Sequence, residues 1–154
     1  MQGWALATQG RATDGLEHMM QSITAYHATG AVMGRPWHLS FLGEIYMKMG
    51  RAQTWLALLP EVLVFGEKTG ERLWEAELYR LKGELTLQQA SQKSKVKGQK
   101  SKVTDPRLLT SDPQVEAEAC FHKAIEIARK QQAKSLELRA VMSVSRLWQS
   151  LGKY

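Results

Sequence analysis

The 154-residue chain has no asparagine, four prolines and one cysteine, Cys120. A lone thiol cannot close an intrachain disulfide, a composition that suits a reducing cytoplasm. No run approaches the ~18 uninterrupted apolar residues of a membrane-spanning helix. The opening Met1-Gln2-Gly3-Trp4-Ala5 lacks a basic segment followed by an apolar core, so no secretory signal is expected. There is no G-x-x-x-x-G-K-[ST] loop and no G-x-G-x-x-G after a strand, which leaves no legible nucleotide site. The histidines, His18, His27, His38 and His122, have no H-E-x-x-H or C-x-x-C company, so no metal site is expected. Cys120 stands beside Phe121 without a legible base and reads as a small buried hydrophobe. The acid pairs Glu75/Glu77 and Glu116/Glu118 are spaced i, i+2, do not share a helix face, and read as solvated surface. These absences point away from an enzyme: no catalytic residue, metal or cofactor is expected.

What the chain does have is periodicity. Three glycine pairs share one spacing: Gly10 and Gly50, Gly30 and Gly70, Gly43 and Gly83. Gly10-Arg11-Ala12 returns as Gly50-Arg51-Ala52, and Thr29-Gly30 returns as Thr69-Gly70. A fixed period of about 40 residues marks stacked helical or solenoid architectures. Between the glycines the apolar residues recur at helical spacing. Leu16, Met19, Met20, Ile23, Tyr26 and His27 form one face over 12–29. A second helix starts near Pro36, with Leu39, Leu42, Tyr46 and Met49 inward. A third, over 52–68, carries Trp55, Leu59 and Val62. With Leu56, Leu58, Leu63 and Phe65 it is apolar nearly all round, which predicts packing on both sides. Pro60 in its middle predicts a kink or a split. A fourth spans 72–90 with Trp74, Leu78, Leu81 and Leu85 inward. Asp112 or Ser111 caps a fifth, running to about 132, and a last helix over 135–150 buries Leu138, Val141, Val144, Leu147, Trp148 and Leu151. Residues 3–10 read as the end of a helix whose start is missing, which suggests a piece of a longer protein.

The formal net charge of +6 is local. Residues 91–103 hold Lys93, Lys95, Lys97, Lys100 and Lys102 and no acid; without these five the charge is +1. Gln-Lys-Ser-Lys-Val occurs twice here, at 92–96 and 99–103. A polar, like-charged, low-complexity stretch cannot bury a core, so 91–113 reads as a flexible insertion. Its lysines lack interleaved arginine or aromatic residues, which counts against a nucleic-acid or membrane partner.

The helix pairs resemble the tetratricopeptide repeat. Its first helix prefers a large apolar residue, then Leu-Gly, then Tyr, as in Leu39, Leu42-Gly43 and Tyr46; its second prefers Ala, Phe, Ala, as in Ala117, Phe121 and Ala124. Residues 69–72, 75–85 and 116–121 resemble the tetratricopeptide-like C-terminal region of bacterial ATPase-linked regulators, nucleotide cyclases and the maltose-regulon activator. Three positions depart from the pattern: Trp55 where a small residue is usual, Lys82 before Gly83, and Gln132 in place of a glycine. The resemblance implies a fold that is all-α, with antiparallel helix-hairpin repeats stacked as an α-α superhelix, a single domain over 1–154 with the Lys-rich insertion at 91–113. It implies a non-catalytic protein-interaction or regulatory module, the C-terminal part of a larger signalling ATPase, cyclase or transcription regulator. An effector-sensing domain that binds a small molecule, and a nucleic-acid-binding helical repeat, are the alternatives. It also implies a concave partner-binding face, made by Trp37, Ser40, Glu44 and Met47 from one helix, Glu77, Arg80 and Glu84 from the next, and Arg139, Met142 and Arg146 from the last. This mix suits a protein or peptide segment. Open ends, with Trp4 and Leu6 at one and Trp148 and Leu151 at the other, suggest a homo-oligomer.

Overall fold

The computed structural model describes residues 2–31, 33–97 and 112–152, the side chains of 95–97 excepted. Among these residues there are seven helices and no strand: α1 (Gln2–Thr8), α2 (Ala12–Ala28), α3 (Arg35–Lys48), α4 (Ala52–Thr69), α5 (Glu75–Lys97), α6 (Pro113–Lys130) and α7 (Lys134–Ser150). No helix among them is long and apolar enough to cross a membrane. Each helix packs on its chain neighbours, and the odd-numbered helices also touch in series, α1 on α3, α3 on α5 and α5 on α7. Among the described residues, the backbones of α2 and α4, and of α4 and α6, make no such close approach.

The turns follow from backbone chemistry. Gly10, Gly30, Gly50 and Gly70 sit at successive helix ends, each with positive φ, the left-handed conformation that reverses the chain after a helix. After α6 the same conformation falls on Gln132, at φ 57°. At the start of α6, Asp112 Oδ1 accepts from the Gln114 amide at 2.9 Å, with Pro113 in the first turn.

Two glycines 40 residues apart, Gly43 and Gly83, set the close helix contacts. A Cβ on Gly43 would lie 2.9 Å from the Trp55 indole nitrogen and from Leu81. A Cβ on Gly83 would lie 2.5 Å from the Phe121 ring. Trp55 and Phe121 are fully buried in these notches, and the Trp55 Nε1–H donates to the Leu39 carbonyl at 2.8 Å. The indole at 55 is therefore accommodated by the missing side chain at 43. Gly3 precedes Gly43 by the same spacing and packs against the backbone of Gly15 and Met19. One core gathers α1 to α5 around Ile45, Trp55, Leu81 and Leu85; a second joins α6 and α7 around Phe121, Ala124 and Val144, with Tyr79 and Leu87 of α5 against it.

Several expectations are corrected. The fourth helix does not end near residue 90 but continues to Lys97. Gln88 and Gln92 of α5 donate side-chain hydrogen bonds to the carbonyls of Met47 and Gly50, and Ser94 Oγ donates to Ala90 O. Lys and Gln are also good helix formers. The rest of the expected flexible insertion, 98–111, lies outside the described residues. Pro60 does not split α4: it lies on the exposed side, between the buried anchors Trp55 and Leu59 and the helix's C-terminal half. The same helix is not sandwiched, since it packs on α3 and α5 and leaves Leu58 and Val64 exposed. Leu138 is 61% exposed, and the inward positions of α7 are Ala140, Ser143, Val144 and Leu147. Met20 and Tyr26 of α2 also point outward. Lys82 pairs with Glu116 of α6 at 3.3 Å, half-buried.

Candidate interaction face across α3, α5 and α7

Glu77, Arg80 and Glu84 are spaced i, i+3, i+7 on α5 and fall on one face. Glu77 and Arg80 are buried, and Arg80 clamps Glu77 with Nε at 3.0 Å and Nη2 at 2.7 Å. Its Nη1 lies 3.5 Å from Glu84 Oε1. From α7, Arg139 reaches Glu77 at 3.0 Å and also pairs with Glu44 of α3. Glu44 accepts a further hydrogen bond from the Trp4 indole of α1, and Ser143 Oγ donates to Glu84 at 2.7 Å. Three carboxylates and two guanidiniums thus form one network that draws on α1, α3, α5 and α7.

The electrostatics follow from this wiring. Burial works to raise the Glu44 pKa, but hydrogen bonds from Trp4 and Arg139, with the charges of Arg139 and Arg80, outweigh it and hold the carboxyl below its usual 4.5. Burial likewise works against the charge on Arg80, and the Glu77 carboxylate overrides it, so the guanidinium is held above its ordinary value. These groups stay ionised at neutral pH and are suited to fixed electrostatic contact rather than to proton transfer.

An aromatic cluster flanks the network. Phe41 meets Trp4 edge-on at 6.1 Å and Trp37 edge-on at 5.5 Å, and lies 6.3 Å from Trp74. Of the residues expected on a concave face, Glu44, Glu77, Arg80, Glu84 and Arg139 are brought into direct contact. Trp37 lies in the aromatic cluster. Ser40 is buried, its hydroxyl donating to the Trp37 carbonyl at 2.7 Å, and Met47 is half-buried against the first core. Met142 and Arg146 are exposed on α7, on the same side as the half-exposed Arg139. Sequence reasoning missed Trp4, Ser143 and Phe41. The signal for Trp4 was present: it precedes Glu44 by the same spacing at which Glu44 precedes Glu84, the spacing of the glycine pairs.

Elsewhere, burial pushes the Cys120 thiol up, with the nearby Lys82 ammonium opposing, so the thiol is protonated at neutral pH. Among the described residues no group of His, Cys, Asp and Glu is arranged to hold a metal ion. Compared with known proteins, the chain matches no family model, no curated protein and no solved structure.

Proposed function

We propose that the chain is a non-catalytic protein-interaction module of tetratricopeptide-like type, whose odd-numbered helices form the inner, partner-facing side of a short superhelix. The observation that carries this reading is the strip of Arg139, Met142 and Arg146 beside the ionised network. A fixed charge pattern next to an exposed Met and Arg is chemistry suited to holding a peptide segment. The matched placing of Gly43 and Gly83, each opened to a large aromatic residue of the following helix, supports the repeat reading. On the resemblance of its helix pairs, the module serves a larger bacterial signalling ATPase, cyclase or transcription regulator.

The test is selection of peptides from a random display library against the folded chain, with binders mapped by amide chemical shifts. Binding is expected to perturb Glu44, Arg139, Met142 and Arg146, and to weaken about tenfold or more in Met142→Ser with Arg146→Glu. Peptides that map to the outer sides of α2, α4 and α6, and ignore this double variant, would sink the reading. Self-association through the chain ends is a separate part of the proposal. Sedimentation at several concentrations decides it, and a monomer throughout rejects it.

A further inference from the structure

A groove of about 420 Å³ is lined by residues of α2, α3 and α4 and shares none with the charged network. Ile23, Leu39, Leu42, Leu58 and Val62 give it an apolar lining, and Leu58 is itself exposed. Arg35 of α3 and Glu61 of α4 line the same groove and pair with each other. Leu42 lies about two turns beyond Arg35 on α3, and Leu58 about one turn before Glu61 on α4. The two charges therefore stand at one end, and apolar surface extends from them. The imidazoles of His27 and His38, with centroids 6.3 Å apart, complete the lining.

The ion pair is accessible to a ligand. Its side chains are 41% and 76% exposed, and they meet through one contact, Arg35 Nη1 to Glu61 Oε1 at 3.4 Å. The other guanidinium N–H groups have no acceptor among the described residues, and Glu61 Oε2 has no donor there. The Arg35 guanidinium lies over the Phe65 ring, 4.9 Å from its centroid, a contact that helps to hold the charge in place. An exposed pair of this kind contributes little to stability, so a ligand that separates its members forfeits little. A lone cation at this end meets Arg35 as well as Glu61, and a lone anion meets Glu61 as well as Arg35. A ligand with both charges on neighbouring atoms can give each member its opposite.

We propose that this groove binds a free α-amino acid with a large apolar side chain, such as leucine or phenylalanine. Its carboxylate accepts from Arg35, its ammonium donates to Glu61, and its side chain packs on Leu39, Leu42 and Leu58. A residue inside a peptide has no such neighbouring pair of charges, which separates this ligand from the segment held at the α7 strip. The volume lies within the range of small-molecule sites, whose usual lining is apolar with a few placed polar groups. This site is independent of the peptide-holding face.

The test titrates L-leucine and L-phenylalanine against the full chain and follows amide shifts of His38, Leu39, Leu58 and Val62. The controls each lack one element of leucine: 4-methylpentanoate the ammonium, 3-methylbutylammonium the carboxylate, and glycine the side chain. Saturable shifts are expected with both amino acids, with each control binding about fivefold or more weakly than leucine. Arg35→Gln and Glu61→Gln are each expected to weaken leucine about fivefold or more. They should act oppositely on the controls: Arg35→Gln strengthens 3-methylbutylammonium, and Glu61→Gln strengthens 4-methylpentanoate, a crossover that a merely structural role would not produce. Circular dichroism reports whether the variants are folded. Should either not fold, Leu58→Ser, at an exposed position, is expected to weaken leucine about threefold or more. No saturable shift with either amino acid, any control binding as well as leucine, or undiminished leucine binding in a folded variant overturns the proposal.

Discussion

Arg139 of α7 pairs with Glu44 of α3, 95 residues earlier in the chain, while the same guanidinium lies 3.0 Å from Glu77 of α5. One side chain therefore holds two carboxylates from two other helices, and one of them, Glu77, is only 2% exposed. Burying that carboxylate is tolerable because Arg80 and Arg139 both neutralise it at contact distance.

Removing one member should therefore cost more than removing a matched pair. Glu77→Ala leaves Arg80 buried without its bidentate partner and is expected to destabilise the fold by about 3 kcal/mol. Glu77→Leu with Arg80→Met replaces the pair with apolar groups of similar volume and is expected to recover most of that loss. Urea denaturation of the variants measures both. Additive losses would show that the pair is not coupled.

Stability is expected to fall with acid in two steps, read from thermal midpoints across pH. His38 has a folded pKa below its free value of 6.5, because burial and then His27 disfavour the charged ring. Folding thus favours neutral His38; its contribution is complete above 6.5 and is lost as pH falls toward the folded value. Glu44 is also depressed, from 4.5, so its contribution is complete above 4.5 and is lost at lower pH. His38→Phe should remove the first step and Glu44→Gln should shrink the second.

At Gly83 two effects compete. Alanine is the better helix former by about 1 kcal/mol. Its Cβ would, however, sit 2.5 Å from the buried Phe121 ring, which cannot swing away as a flexible chain end could. Overpacking costs of about 1–3 kcal/mol decide the sign, so Gly83→Ala is expected to destabilise. Adding Phe121→Leu should make the alanine less costly than it is alone. A stabilised Gly83→Ala, by denaturant midpoint, would contradict the close contact.

Gln132 holds a left-handed backbone at the turn where earlier turns use glycine. Gln132→Gly relieves that strain but makes the unfolded chain more flexible, and the balance is expected to favour the folded state by about 0.5–1 kcal/mol. The same substitution at Lys123, exposed in the middle of α6, is the contrasting control and should destabilise by about 1 kcal/mol. Thermal unfolding distinguishes them.

Much of the helical framework was legible in residue spacing. The helices over 12–29 and 52–68 match α2 and α4 within a residue, because apolar periodicity and the terminal glycines agree there. The extension of α5 was not legible: what holds it is Gln92 reaching the Gly50 carbonyl, a contact with another helix end that low-complexity composition conceals. Leu138 misled because its spacing suits an inward row, yet the packed face of α7 runs through Ala140 and Ser143, small residues that carry little hydrophobic signal. In the site, the alignment of Glu77, Arg80 and Glu84 follows from helical spacing. Their capture by Arg139, and the tie from Trp4 to Glu44, require helices far apart in sequence to be neighbours, and nothing local encodes that.

The contact pattern of the helices has a mechanical side. The backbones of α2 and α4, and of α4 and α6, do not approach one another closely among the described residues. Parting α1, α3, α5 and α7 breaks packed surfaces and also the ion pairs and the indole hydrogen bond that join these helices. The odd-numbered helices are thus tied to one another by polar links as well as by packing, and the even-numbered ones are joined through them.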